Sequence, residues 1–267
     1  MGEDFSVIHA GESTEDNKKR FNEAFLELSI SPPPIVHWPC GEPVEAIVRT
    51  ICEQGVELLI LGALEKEIPG RHYTGTVARS IMREAPCSLL FLTEPSLEPK
   101  PLRQIVAITD FSELSALSLK HASFLAEQQG AERIHLVRIF TVFAQMRERS
   151  EEFVEADQRQ ALLEVEEKRV ADFAAASGPS TVPIEARCVE GSTGMAASDY
   201  VEAVQADLLV VPSQAPGDAP LFPEGMDWMF NAIPSNLLIV RKASPVMVPQ
   251  AREAVPTSFI PERNLFR

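Results

Sequence analysis

The chain has 267 residues, of which 45% are hydrophobic and 24% charged, with a formal net charge of -15. That length accommodates two domains of ordinary size with full cores. An acidic chain without a basic stripe excludes nucleic acid and anionic membrane surfaces as expected partners.

In chain order, residues 5–10 (FSVIHA) predict a short strand. Residues 12–30 predict an amphipathic helix with Phe21, Ala24, Phe25 and Leu28 on one face. A proline-rich break at Ser31–Pro34 precedes a strand at Ile35–Trp38. Pro43 suits the first turn of the next helix, which carries Val44, Ile47, Val48 and Ile51 and ends at Gly55. Val56–Leu61 is a strand, and Gly75-Thr76 opens a helix whose apolar face carries Val77, Ile81 and Ala85. Leu89–Leu92 is the next strand, and Glu94–Pro101 is a charged, proline-rich linker. Ile105–Ile108 predicts a strand, followed by a helix capped by Ser112 and ended near Gly130. Strands follow at 134–140, 184–189, 208–211 and 237–240, with helices at 146–176, 194–206 and 225–232. Strands alternating with helices imply a mostly parallel α/β architecture.

The two halves are alike. ELLILGA (57–63) matches DLLVVPS (207–213), and GTVARSIMREAPCSLLFL (75–92) matches GMDWMFNAIPSNLLIV (225–240). In such sheets a ligand sits where a strand's carboxyl end meets a helix's amino end, and free N–H groups there attract phosphate. Gly62, Gly75 and Thr76 occupy that place in the first half.

These residues resemble the universal stress protein family, whose nucleotide loop reads G-x2-G-x9-G-[S/T]. Gly62, Gly75 and Thr76 match it, while Glu65 stands where the second glycine should be. IVAITDFSE (105–113) resembles the family's first strand and turn, and Asp110 matches the acidic residue that contacts nucleotide in ATP-binding members. The paired arrangement resembles tandem members and covers about residues 5–95 and 103–241. The resemblance implies two Rossmann-like open parallel sheets, akin to the adenine nucleotide alpha hydrolases, in tandem, each of strand order 3-2-1-4-5. The implied divisions are a first domain at 1–95, a linker at 96–102, a second domain at 103–241 and a tail at 242–267. It also implies a role in stress response or regulation with little or no turnover, and ATP as the ligand where the loop is kept. Tandem members pair their copies within one chain as a dimer substitute; a homodimer is the alternative.

Both loops depart from the pattern. Glu65 adds a side chain and a charge where a backbone N–H should approach phosphate. In the second loop Pro212, Ala215 and Met226 replace the pattern residues, only Gly225 remains, and prolines at 216, 220 and 223 remove donors. Aligning Ser6 with His135 leaves the first copy without strand one or helix one, so it has no partner of Asp110. The sequence thus predicts at most residual ATP or AMP binding at Gly62, Gly75 and Thr76. A missing central strand has three resolutions. Strands two and four pair directly, the chain is a fragment of a longer protein, or another segment fills the gap. Val246-Met247-Val248 and Ser258-Phe259-Ile260 in the tail are the candidates for the last.

Cys40, Cys52, Cys87 and Cys188 show no CxxC, and the histidines are scattered, so no metal is expected. Ser112 follows Asp110 with no histidine near it, so no catalytic residue is expected. MGEDF reads as no signal peptide, and no apolar run is long enough to enter a membrane. The expected compartment is the cytoplasm. Two functions stay open: a cytosolic stress or regulatory protein, or the soluble regulatory module of a membrane transporter acting through a protein partner.

Overall fold

The computed structural model describes residues 6–65, 72–73, 75–140, 156–191, 195–217, 220–223 and 226–242. The first part of the predicted helix at 146–176, Gly194, Gly225, Lys66 to Arg71 and the tail from Ala243 lie outside the described residues.

The first half contains β1 (Ser6–Ile8), α1 (Glu15–Glu27), β2 (Ile35–His37), α2 (Pro43–Gln54), β3 (Leu58–Gly62), β4 (Leu64–Glu65), β5 (His72–Tyr73), α3 (Thr76–Glu84) and β6 (Ser88–Leu92). The second contains β7 (Gln104–Ile108), α4 (Glu113–Gln129), β8 (Arg133–Phe140), α5 (Ala156–Ala176), β9 (Ile184–Glu190), α6 (Ala196–Ala203), β10 (Leu208–Pro212), β11 (Ala232–Ile233) and β12 (Asn236–Val240). Local chemistry sets the helix ends. The Glu42 carboxylate accepts from the Val44 and Glu45 N–H groups at 2.9 and 3.1 Å, and Pro43 needs no donor partner there. Gly55 and Gly130 end α2 and α4 at φ 63° and 64°, a conformation that costs glycine nothing.

The two expected, mostly parallel sheets are joined edge to edge in one seven-stranded sheet of order β3-β6-β12-β10-β7-β8-β9. All of its pairs are parallel except β6 with β12, which is antiparallel and sets Leu89, Leu90 and Phe91 against Ile239, Leu238 and Leu237. The two halves therefore pair within the chain through their last strands. Asn236 reinforces the seam: its Oδ1 accepts from the Thr93 N–H at 3.0 Å, and its Nδ2 donates to the Asp207 carbonyl at 3.0 Å. Within the second half the strands run 3-2-1-4-5 by chain rank.

In the first half β3 and β6 join this sheet, while β1 and β2 pair only with each other in a two-stranded sheet. Strands two and four of that copy do not pair directly. The β1–β2 layer is held by an aromatic cluster of its own. The rings of His9, Phe21 and Trp38 meet edge-on at 4.9 to 5.6 Å.

One sheet face is covered by α2, α3 and α6, and buries Leu89, Phe91, Leu209, Val211, Leu237 and Ile239. The other is covered in the second half by α4 and α5, over Ile105, Ala107, Leu208, Val210, Leu238 and Val240. At the first-half end of that second face Leu58 and Ile60 are left 45% and 50% exposed. A helix one, the counterpart of α4, would lie there. Val77, expected on the apolar face of α3, is 41% exposed, while Ile81 and Met82 are fully buried. The expected helix at 225–232 is a short 3-10 turn at Asp227–Phe230 followed by β11.

A buried polar relay crosses the second half. His135 is 6% exposed, with Nε2 3.1 Å from Gln104 Oε1 and Nδ1 3.0 Å from the Tyr200 hydroxyl. Gln104 Nε2 donates to Glu132, so its Oε1 faces the histidine, which is then Nε2-protonated and neutral. Burial lowers the His135 pKa; Glu185 opposes the shift, and Arg133 and Arg187 add to it. The unfolded chain then binds a proton near pH 6.5, where the folded chain does not. Stability should fall as pH drops below about 6.5. A series of urea midpoints between pH 7.5 and 5 should show this slope, and His135→Gln should flatten it.

Candidate functional site

Asp110 follows β7 at its carboxyl end, where a family nucleotide would be expected. Its Oδ1 accepts from the Ser112 N–H at 3.0 Å and from the Ser115 hydroxyl, while its own N–H donates to Ser115 Oγ at 3.0 Å. Ser112 Oγ caps α4 by accepting from the Ser115 N–H at 3.1 Å. Phe111 sits between them at φ 66°, held by a bond from its N–H to Thr109 Oγ1 at 3.0 Å. Burial pushes the Asp110 carboxyl up, but the bonds from Ser112, Ser115 and the backbone outweigh it, and its pKa is lowered. The carboxylate is thus engaged in building the strand-to-helix turn. Beside it the Arg169 guanidinium lies 4.1 Å from the Phe111 ring and the Arg138 guanidinium 5.3 Å.

The loop after β10 is packed shut. Ser213 is buried and donates its N–H to the Val240 carbonyl at 2.9 Å; the Gln214 N–H closes the loop on the Leu221 carbonyl at 2.8 Å. Phe222, Met226 and Met229 are 4%, 0% and 0% exposed and belong to the same core as Val211 and Ile239. The Phe222 and Phe230 rings meet at 5.4 Å, and Arg83 of α3 lies 4.3 Å over Phe230. An apolar plug that includes Met226, which replaces the hydroxyl residue of the motif, occupies this loop.

The loop after β3 has another use. Gly62 is the last residue of β3, opposite Leu92, and the chain turns from it into the β4–β5 hairpin. The hairpin pairs antiparallel with β11 of the second half, Tyr73 opposite Ala232 and His72 opposite Ile233, which makes a three-stranded sheet. Glu65 is thereby a strand residue paired with His72. Gly62 is exposed, its φ is not positive, and a Cβ added there would meet nothing within 4 Å. Among the described residues nothing requires a glycine at this position. Gly75 is the N-cap of α3 with no side-chain cap bond, and Thr76 is the exposed first residue of that helix.

Gly75 and Thr76 stand at the start of α3 and Gly62 at the end of β3, and Asp110 does not join them. β3 and β7 are separated by β6, β12 and β10, a span of about 19 Å at ordinary strand spacing. The antiparallel β6–β12 pair also puts the carboxyl ends of β3 and β7 on opposite edges of the sheet.

A residue that sequence reasoning passed over lies between the loops. Arg241, just after β12, is 4% exposed. Its Nε donates to Ser213 Oγ at 3.1 Å, and its two terminal nitrogens donate to the Met82 and Ala85 carbonyls at the end of α3. Burial lowers its pKa to about 10, opposed by nearby Cys87, so it is charged at neutral pH. Those carbonyls have no donors of their own in a helix end. The sequence signal was a pair of cations, Arg241 and Lys242, directly after a buried strand, which marks no role by itself. Among the described residues no group of three His, Cys, Asp or Glu side chains is placed to hold a metal.

Residues 101–219 match the family model described as the universal stress protein family. No curated protein matches the chain. Among solved structures, a protein of unknown function from Pseudomonas aeruginosa PAO1 is similar over 90% of this chain and 83% of its own, at 16% identity and a TM-score of 0.62. A candidate universal stress protein from Pseudomonas aeruginosa UCBPP-PA14 is similar over 90% of this chain and 84% of its own, at 16% identity and a TM-score of 0.61. A universal stress protein from Archaeoglobus fulgidus DSM 4304 is similar over 89% of this chain and 85% of its own, at 14% identity and a TM-score of 0.57. Residues 101–219 are therefore a universal stress protein domain, and nearly the whole chain shares the fold of such proteins.

Proposed function

We propose that this chain is a regulatory protein of the universal stress class that works by protein contact, with its nucleotide sites given over to structure. The observation that carries this reading is the plug of Phe222, Met226 and Met229 in the loop after β10. A triphosphate there would have to displace buried apolar groups and would meet few backbone donors. The first loop supports the reading in a different way. Its hairpin is committed to β11 of the other half. Loops that elsewhere cradle phosphate here lock the two copies together.

Calorimetric titration with ATP and AMP tests this, using the full chain and Thr76→Ala and Gly62→Ala variants. The expected result is no saturable binding up to millimolar nucleotide in any of the three proteins. Saturable binding by the wild type that is lost in Thr76→Ala would overturn the reading and return the start of α3 to service as a phosphate site.

A further inference from the structure

Helix α4 carries an exposed stripe whose shape and charge are complementary to themselves. We propose that two molecules of this chain pair antiparallel along α4, with Phe124 of each seated in a cleft beside Phe124 of the other.

Helical spacing builds the stripe. Lys120, Phe124 and Glu127 follow one another four and three residues apart on α4, which puts them on one face, and all three are exposed. Phe124 is an aromatic ring left 59% exposed. Beside it a cleft of about 190 Å³ opens between α4 and the turn that leads from α5 into β9. Leu119, Ser123, Pro179 and Ile184 line this cleft. A cavity of about 150 Å³ holds a benzene ring, so the cleft has room for one phenyl side chain.

Charge selects the occupant. Lys120 and Glu127 also line the cleft, two helical turns or about 10.5 Å apart along α4. Among the described residues Lys120 forms no ion pair. Glu127 accepts from the Thr181 N–H through Oε1 at 3.2 Å, and its Oε2 has no partner among the described residues. An antiparallel two-fold that sets Lys120 of one molecule against Glu127 of the other repeats the pair across the axis, because such a contact is reciprocal. The same register brings Phe124 opposite Ser123 of the second molecule, and Ser123 lines the cleft. The charges and the ring are independent features, and one register satisfies both. A parallel pairing would set Lys120 against Lys120 and Glu127 against Glu127. An aromatic anchor in a pocket, with charges around it, is the usual form of an interface hot spot. Two paired helices bury less than the roughly 1,200 Å² of a stable interface, so the association is weak and reversible. Each molecule carries a net charge of -15, and salt screens that repulsion. The stripe lies on the half of α4 that leads to Gly130 and the start of β8, away from the turn of Asp110 at the other end of the helix. The pairing therefore stands whether or not the nucleotide loops bind.

Sedimentation equilibrium of the full chain tests this, at about 150 mM salt and at protein concentrations up to about 1 mM. The expected result is a reversible dimer whose dissociation constant rises at least about tenfold in Phe124→Asp. Lys120→Glu and Glu127→Lys alone each place two like-charged pairs in the interface and should weaken it about tenfold. The Lys120→Glu/Glu127→Lys double variant restores opposite charges and should return to within about threefold of the wild type. All four substitutions fall on exposed side chains, and far-UV circular dichroism checks that the variants are folded. A wild type that stays monomeric throughout would overturn the proposal. So would a dimer indifferent to Phe124→Asp, which would be joined elsewhere, or a double variant no tighter than the two single ones.

Discussion

Arg241→Ala is expected to destabilise the chain by about 3–5 kcal/mol, because it strips donors from several buried acceptors at once. The Arg241 guanidinium spans both halves. It donates to Met82 and Ala85 at the end of α3 in the first half, and to Ser213 in the loop after β10 in the second. In the alanine variant two helix-end carbonyls face a buried cavity, each costing about 1–3 kcal/mol. The favourable interaction of a cation with the negative end of α3 is lost as well. Arg241→Lys should recover less than half of the loss. An ammonium is a single point, and it cannot reach across to both carbonyls and Ser213 Oγ as the planar fork does. Urea unfolding followed by far-UV circular dichroism measures both variants. A loss below about 1 kcal/mol for the alanine variant would show that water replaces the guanidinium at those carbonyls.

The sequence carried the strands of this fold plainly and their partners poorly. Leu89–Leu92 and Leu208–Val211 announce themselves as apolar runs, because strands covered on both faces need apolar side chains on both; Leu59–Leu61 reads the same way although Ile60 is half exposed. The turn after β7 was legible too, since Asp110, Ser112 and the helix behind them form a capping pattern with a local mechanism. The strands through which the two halves join were not. Whether β6 ends one sheet or continues into β12 depends on edge hydrogen bonds, which every residue can make and no side chain advertises. The hairpin of β4 and β5 escaped for a related reason: strands of two residues have no periodicity. The helix expected at 225–232 failed because Met226, Met229 and Ile233 recur at near-helical spacing. In the structure they point into one core from an irregular turn. The antiparallel pairing also sends the loops after β3 and β7 to opposite edges of the sheet, so Asp110 stands apart from Gly62.

That seam makes a damaging change in one half felt in the other, and Phe91→Ala is the change that shows it. Phe91 is fully buried in β6, flanked in register by Leu61 of β3 and Leu237 of β12. Truncating a buried phenylalanine leaves a cavity and costs about 3–5 kcal/mol. If the halves were separate sheets, that loss would fall on the first alone. In a continuous sheet the cavity opens against Leu237 and Ile239, in the core that also holds Phe222, Met226 and Met229. The chain has two tryptophans. Trp38 belongs to the β1–β2 layer, and Trp228 packs against the shared core. Fluorescence from the two single-tryptophan versions therefore reports each half separately. The expected result is a Phe91→Ala shift of the Trp228 midpoint as large as that of Trp38. A Trp228 midpoint left in place would mean that the halves unfold independently and that the β6–β12 pairing contributes little to stability. Coupling of this strength would also fit the proposed use of the loops as structure: Phe222 and Met226 pack in the shared core, and the β4–β5 hairpin pairs with β11 of the other half.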